Sequence, residues 1–199
     1  ARKAGLKIIE DCAHSLGARY EGELLGTYGD IGMYSFGSDK IISCARGGAL
    51  STRDSRLASN IKQIQDTLPA MPVSHIVRHL MHFPFFSAGR RYYDMWVGKV
   101  LLKFDRSFHI INSIIYPCEK RGVQPDWFPA LLPGALEKIL LGQIDTIDLR
   151  NDRRKEIALL YDAKIQNPDV TKLRYVDSSV YLRYTLLVDS PRHFLDYMK

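Results

Sequence analysis

Three short apolar runs in the first quarter of the chain, separated by polar and glycine-containing stretches, most strongly limit what it can fold into. Residues 6–10, 30–36 and 48–52 each have the length and character of a β-strand, and the first is typical of a strand buried in a parallel sheet. Residues 53–67 follow with apolar side chains at helical spacing. Strands that alternate with a helix predict an α/β fold with a mostly parallel sheet.

Chemically capable side chains lie at or just beyond the ends of these predicted strands: Asp11, Ser35 and Lys40. Ligands of open α/β sheets bind at the carboxyl ends of the strands. We therefore expect these three residues to converge at one edge of the sheet, with their side chains directed into one cleft.

The pattern changes after residue 68. Between residues 69 and 133 aromatic and histidine side chains are dense and prolines recur, whereas residues 135–165 predict one or two long helices with a charged exposed face. Residues 181–188 predict a strand, and Asp189-Ser190-Pro191 opens another helix.

This organisation predicts two units. Residues 1–134 would be the C-terminal part of a large domain with a helical, aromatic and basic insertion at about 69–133. Residues 135–199 would be a linking helix and the beginning of a smaller α/β domain. Gly5 resembles a helix C-cap and the chain stops inside a helix, so we expect a piece of a longer protein.

Composition narrows the class of protein. Hydrophobic residues make up 46% and charged residues 25%, which is typical of a globular chain, and no run of eighteen apolar residues suggests a membrane span. The opening residues do not resemble a secretory signal. The odd number of cysteines, Cys12, Cys44 and Cys118, lacks metal-ligand spacing and favours reduced packing thiols. We expect a cytoplasmic protein.

Four motifs carry a resemblance to a known family: Ile-Ile-Glu-Asp-Cys-Ala-His at 8–14, Gly-Asp-Ile-Gly-Met-Tyr-Ser-Phe at 29–36, Lys40, and Gly-Gly-Ala-Leu-Ser-Thr at 47–52. Together they resemble the core of the DegT/DnrJ/EryC1/StrS sugar aminotransferases. Residues 135–161 are similar to the helix that leads into that family's smaller domain. The resemblance implies the fold type I architecture of pyridoxal-phosphate (PLP) enzymes, a homodimer, and amino transfer, usually from glutamate, to a keto sugar on a nucleotide.

The resemblance also assigns roles to particular residues. Lys40 would be the catalytic lysine that holds PLP as a Schiff base, and Asp11 would pair with the pyridine nitrogen. His14 would lie against the ring and Ser35 would bind the phosphate. These are the groups that PLP chemistry requires: a lysine, a carboxylate, a flat side chain and a hydroxyl donor.

The chain departs from the family pattern near the lysine. Arg46 precedes the Gly-Gly pair, where the family usually has an acid, and Gly37-Ser38-Asp39 replaces a segment that often contains His or Tyr and Pro. The family's phosphate-binding loop should lie upstream of residue 1. These differences leave the identity of the sugar open.

Residues 75–121 contain eight Lys or Arg against three acidic residues, interleaved with aromatic side chains. This stretch has three interpretations: packing onto the sheet and a partner subunit, a lining for a nucleotide-sugar diphosphate, or, less favoured, a peripheral contact with anionic lipid. Its four histidines are His75, His79, His82 and His109, and the first three share one helix face, which suggests a metal site. No acid or cysteine accompanies them on that face, so no metal is expected. A nucleic-acid partner is not expected either.

Two alternatives to the aminotransferase remain. Some family relatives are PLP-dependent sugar dehydratases, but these replace the lysine with histidine, so Lys40 argues against that reaction. A non-catalytic paralogue that binds anionic partners through residues 75–121 would have no reason to keep Asp11, Ser35 and Lys40 together.

Overall fold

The computed structural model describes residues 2–100 and 116–197. The strands are β1 Ile9–Asp11, β2 Arg19–Tyr20, β3 Glu23–Leu24, β4 Ile31–Ser35, β5 Gly48–Ser51, β6 Val170–Lys172 and β7 Leu186–Val188. The α-helices that are described throughout are α1 Ser55–Asp66, α2 Val73–Arg91, α3 Gly134–Ile144, α4 Ile147–Lys164 and α5 Pro191–Tyr197.

The main sheet has the strand order β1-β4-β5. β1 and β4 are parallel, with Asp11 opposite Met33, and β4 and β5 are antiparallel, with Ser35 opposite Gly48. The predicted α/β fold is confirmed, although these three strands form a mixed sheet. Because β1 and β4 are parallel, their carboxyl ends lie at the same edge.

The first strand is shorter than the sequence indicates. Only Ile9–Asp11 pairs as a strand, because the carboxylate of Asp30 accepts hydrogen bonds from the Ile8 amide (2.8 Å) and the Lys7 amine (2.9 Å). Asp30 thus satisfies backbone that a longer strand would pair. The expected burial was also wrong here, since the Ile9 side chain is 65% exposed in this chain.

The helix predicted over residues 53–67 is confirmed as α1. Asp54 caps it, accepting hydrogen bonds from the Arg56 and Leu57 amides at 2.8 and 3.2 Å. Residues 135–165 form two helices, α3 and α4, which separate at residues 145–146. The strand predicted at 181–188 is shorter and consists of Leu186–Val188. The helix predicted after Asp189 is present as α5.

The insertion is helical in its first part. His75, His79 and His82 lie on α2, and residues 97–100 begin a further helical turn. The helical spacing predicted beyond residue 100, and His109, lie outside the described residues. Within residues 2–100 and 116–197, no helix has the length and apolar character needed to cross a membrane.

The hydrophobic core lies beneath the loop that connects β4 and β5. Ile41, Ile42 and Cys44 from this loop pack with Leu136 and Leu140 of α3 in one buried cluster. Leu136 and Cys44 are completely buried. The loop that carries Lys40 is therefore anchored from below by apolar packing.

Candidate active site

Lys40 lies in the loop of residues 36–47, which we call the lysine loop. A turn precedes it, in which the Lys40 amide donates to the Gly37 carbonyl at 3.1 Å. The Lys40 side chain is mostly buried, with 14% of its surface exposed. Its Nζ lies 2.7 Å from Nε2 of His14. The structure therefore brings together two of the four predicted site residues in direct contact.

His14 reaches Lys40 because the chain turns immediately after β1. The Asp11 carboxylate accepts a hydrogen bond from the Ala13 amide at 3.0 Å, a local turn that an aspartate at this position readily forms. The Cys12 amide still donates to the Met33 carbonyl of β4 at 2.8 Å. Asp11 thus ends the strand and orients the segment that presents His14.

Ser35 occupies the end of β4, on the strand next to Asp11. Its Oγ accepts a long hydrogen bond of 3.5 Å from the Gly37 amide. A methyl group at Gly37 would lie 3.8 Å from both Ser35 Oγ and Lys40 Cγ, so Ser35 and Lys40 flank the same small space. Of the three residues expected to converge, Ser35 and Lys40 thus lie near each other, and Asp11 ends the neighbouring strand.

A second carboxylate near the lysine was not predicted. Asp39 places Oδ1 3.6 Å from Lys40 Nζ, and its Oδ2 accepts a hydrogen bond of 2.7 Å from Arg183. Because Asp39 directly precedes Lys40 in the sequence, a carboxylate near the lysine could have been predicted from the sequence alone. Nothing in the sequence indicated that Arg183, which is 144 positions from Asp39, would pair with it.

Helices α3 and α4 hold the backbone of the lysine loop. Gln143 accepts from the Ser43 amide at 3.2 Å and donates to the Ser43 carbonyl at 2.8 Å. Arg154 donates to the Ile41 carbonyl at 3.2 Å, and burial lowers the pKa of its guanidinium from the ordinary value. Both residues fall in the stretch that resembles the family helix, but their support of Lys40 was not predicted.

The two cysteines closest to the site are buried. Burial raises the pKa of Cys44 to about 11 and also raises that of Cys12. Both thiols are therefore protonated near neutral pH, which suits packing rather than nucleophilic chemistry. In the part of the chain that the structure describes, no group of three His, Cys, Asp or Glu side chains could hold a metal ion.

Residues 1–72 match the model of the DegT/DnrJ/EryC1/StrS aminotransferase family. Over these residues the chain is similar to the aminotransferases of that family. The L-glutamine:scyllo-inosose aminotransferase of Streptomyces griseus is 40% identical over 65 residues, which is 33% of this chain and 15% of that protein. The UDP-N-acetyl-3-dehydro-alpha-D-glucosamine 3-aminotransferase of Acidithiobacillus ferrooxidans is 39% identical over 122 residues, 53% of this chain and 33% of that protein.

Solved structures of two aminotransferases share the fold over nearly the whole chain. The aminotransferase TlmJ from Streptoalloteichus hindustanus aligns with a TM-score of 0.63 at 20% identity, over 98% of this chain and 42% of its own. Helicobacter pylori PseC, an aminotransferase of pseudoaminic acid biosynthesis, aligns with a TM-score of 0.60 at 20% identity, over 98% of this chain and 41% of its own. The chain thus has the fold type I architecture but spans less than half the length of these two aminotransferases.

Proposed function

We propose that this chain is part of a PLP-dependent aminotransferase that moves an amino group from glutamate to a keto sugar on a nucleotide, in amino-sugar or cell-surface polysaccharide biosynthesis. The observation that carries the proposal is the 2.7 Å contact between Lys40 and His14 at the sheet edge where β1 and β4 end. The matching family model and the named sugar aminotransferases support the same reaction class.

The donor set fits PLP. A mostly buried primary amine suits covalent attachment of an aldehyde, and the imidazole beside it is a flat partner for a pyridine ring. Asp11 and Ser35, on adjacent strands, supply a carboxylate for the ring nitrogen and a hydroxyl for the phosphate. We propose these roles for Asp11, His14, Ser35 and Lys40.

Bound PLP supplies an electron sink that stabilises negative charge next to the amine of the substrate. Lys40 supplies the proton transfers: once its amine is free, it serves as general base and then as general acid. His14 is within hydrogen-bond distance of that amine and can exchange a proton with it. The Asp39 carboxylate, at 3.6 Å, stabilises the ammonium form between the two transfers.

The decisive experiment uses the full-length protein with PLP, glutamate or glutamine, and a panel of nucleotide-linked keto sugars. Glutamine is included because the S. griseus relative is named for it. Amine formation on one of the sugars supports the proposal. Lys40→Ala should abolish turnover and leave the fold intact, because its amine contacts the site rather than the apolar core.

Lys62→Ala is the matched control. Lys62 lies on α1, and its side chain is 65% exposed and paired with Asp66 at 2.6 Å. This variant should keep the activity of the unmodified protein. Substantial turnover in Lys40→Ala would show that another lysine carries the chemistry and would refute the assignment.

A sugar dehydratase is the second candidate. The Escherichia coli GDP-4-keto-6-deoxy-D-mannose-3-dehydratase, solved with bound hydrated PLP, aligns with a TM-score of 0.56 at 14% identity over 94% of this chain and 41% of its own. We favour transamination because Lys40 occupies the position where the family's dehydratases carry histidine. Loss of the sugar hydroxyl without amination, in the same assay, would favour the dehydratase.

We further propose a cytoplasmic homodimer with a division into residues 1–134 and 135–199. The described part of the insertion supports an interface, since several of its large apolar side chains lie on the surface. Phe86 is 52% exposed and Trp96 is 69% exposed, whereas Phe83 and Phe85 are partly buried. Apolar side chains of this kind are common anchors in subunit contacts.

A further inference from the structure

Arg46 lies at the far end of the lysine loop, which closes on itself. The Phe36 amide donates to the Gly47 carbonyl at 2.8 Å, and the Cys44 amide donates to the Phe36 carbonyl at 3.2 Å. The Cys44 thiol, completely buried, also contacts the Arg46 carbonyl at 3.2 Å. Arg46 therefore lies at the closed end of the loop that carries Lys40.

The Arg46 guanidinium sits in a cluster of rings, which we call the arginine cluster. Its Nη2 donates to Glu119 at 3.0 Å, with both side chains largely buried. Its Cζ lies 5.1, 5.5 and 5.4 Å from the ring centres of Tyr116, Trp127 and Phe128. Both contacts suit a cation held between an acid and aromatic faces.

The rings of the arginine cluster all come from the insertion. Glu119 also accepts a hydrogen bond from the Tyr116 amide at 2.6 Å, which fixes the acid in its own segment. Trp127 also stacks against His75 of α2, with the two ring centres 4.3 Å apart. Arg46 thus connects the lysine loop to residues 116–128 and, through Trp127, to α2.

We propose that Arg46 is a positioning residue for Lys40, an inference that rests on the proposed function. The loop backbone is held by Arg154 at Ile41 and by Gln143 at Ser43, whereas the arginine cluster holds its final residues. Loss of the guanidinium leaves Glu119 without this cation and the rings without their central group. The loop then loses its third attachment, and the Lys40 amine is no longer held against His14.

The choice of arginine follows from its shape. A guanidinium is flat and can contact several rings while it donates to a carboxylate, whereas a lysine ammonium is a compact, strongly hydrated charge. This explains why a cation is acceptable where the family usually has an acid: the insertion supplies the complementary Glu119.

The test compares Arg46→Ala and Arg46→Lys in the full-length protein. The emission of Trp127 without PLP, taken as the difference between each protein and its Trp127→Phe counterpart, reports the arginine cluster. Borohydride trapping followed by peptide mass measures PLP attached to Lys40. Arg53→Ala is the control, because Arg53 pairs with Glu23 at 3.2 Å on the exposed surface.

We expect Arg46→Ala to change Trp127 emission and to slow the attachment of PLP to Lys40 about ten- to a hundredfold, as misplacement of a reacting group does. Arg46→Lys should give values between those of Arg46→Ala and the unsubstituted protein. Added guanidinium should partly restore both measurements in Arg46→Ala, and Arg53→Ala should change neither. Arg46→Lys keeps the test informative if Arg46→Ala does not fold.

Two results overturn the inference separately from the proposed function. Unchanged Trp127 emission in Arg46→Ala and Arg46→Lys shows that Arg46 does not organise the rings, and unchanged trapping at Lys40 shows that the rings do not position the lysine. Absence of trapping in the protein with Arg46 intact instead refutes the proposed function, and this inference with it.

Discussion

Acidification should destabilise the region around α2 through His79. This side chain is 3% exposed, and its Nε2 has no hydrogen-bond partner among the described residues. Burial, with smaller contributions from Arg46, His75 and His82, lowers the pKa of His79 from 6.5 to about 4. The folded protein thus holds this imidazole neutral where an exposed imidazole takes up a proton.

The sign and size follow from proton linkage. Between the two pKa values the unfolded chain binds more protons at His79 than the folded chain does, so stability falls as the pH falls below about 6.5. A drop from about pH 7 to about pH 5 should cost ~2 kcal/mol in the free energy of unfolding at this site. The cost approaches ~3 kcal/mol when the pH reaches the folded-state pKa.

The assay is urea unfolding of the full-length protein at several pH values, followed by the emission of Trp127, which is taken as the difference from the matching Trp127→Phe protein. Trp127 is a suitable probe because its ring centre lies 6.5 Å from that of His79. His79→Leu should remove most of the ~2 kcal/mol loss, since leucine binds no proton. His193→Leu, at an exposed position on α5, should retain it. An equal loss in His79→Leu and in the unsubstituted protein would refute this explanation.

Three further outcomes are expected. Leu136→Ala should lower the free energy of unfolding by about 2–5 kcal/mol in urea titrations, because Leu136 is completely buried; a loss well below that range would contradict its place in the core. Gln143→Leu should cost about 1–3 kcal/mol and reduce PLP trapping at Lys40, because the Ser43 amide and carbonyl both lose their partner, whereas unchanged trapping would show that the loop holds its shape without it. The full-length protein should sediment as a dimer; a monomer that pellets with anionic vesicles at low salt would favour the lipid interpretation, and a monomer without vesicle binding would leave residues 75–121 as ordinary packing.

Much of the local structure could be predicted because it depends on neighbouring residues. Helix α1 has an aspartate cap and apolar residues at helical spacing, and β4 and β5 lie within the apolar runs at residues 30–36 and 48–52. The first strand was predicted too long, because its length depends on Asp30, a residue of the neighbouring segment whose side chain takes the place of strand pairing.

The candidate site divides in the same way. The motifs were enough to propose four site residues, because each has a suitable side chain and stands near the end of a predicted strand: Asp11, His14, Ser35 and Lys40. The residues that support the lysine loop could not be predicted, because they are distant from it in sequence. Gln143 is 100 positions from Ser43, and Arg183 is 144 positions from Asp39.

The sequence by itself determined that residues 30–36 and 48–52 contain strands, that residues 53–67 contain a helix, and which lysine is the candidate for the cofactor. These features depend on periodicity, capping and motifs, which act over a few residues. Only the tertiary structure decided that Arg46 meets Glu119 and that His79 is buried, where the charge of Arg46 contributes to lowering its pKa. Contacts of this kind depend on the path of the chain through space, which brings distant residues together and removes water from their charged groups.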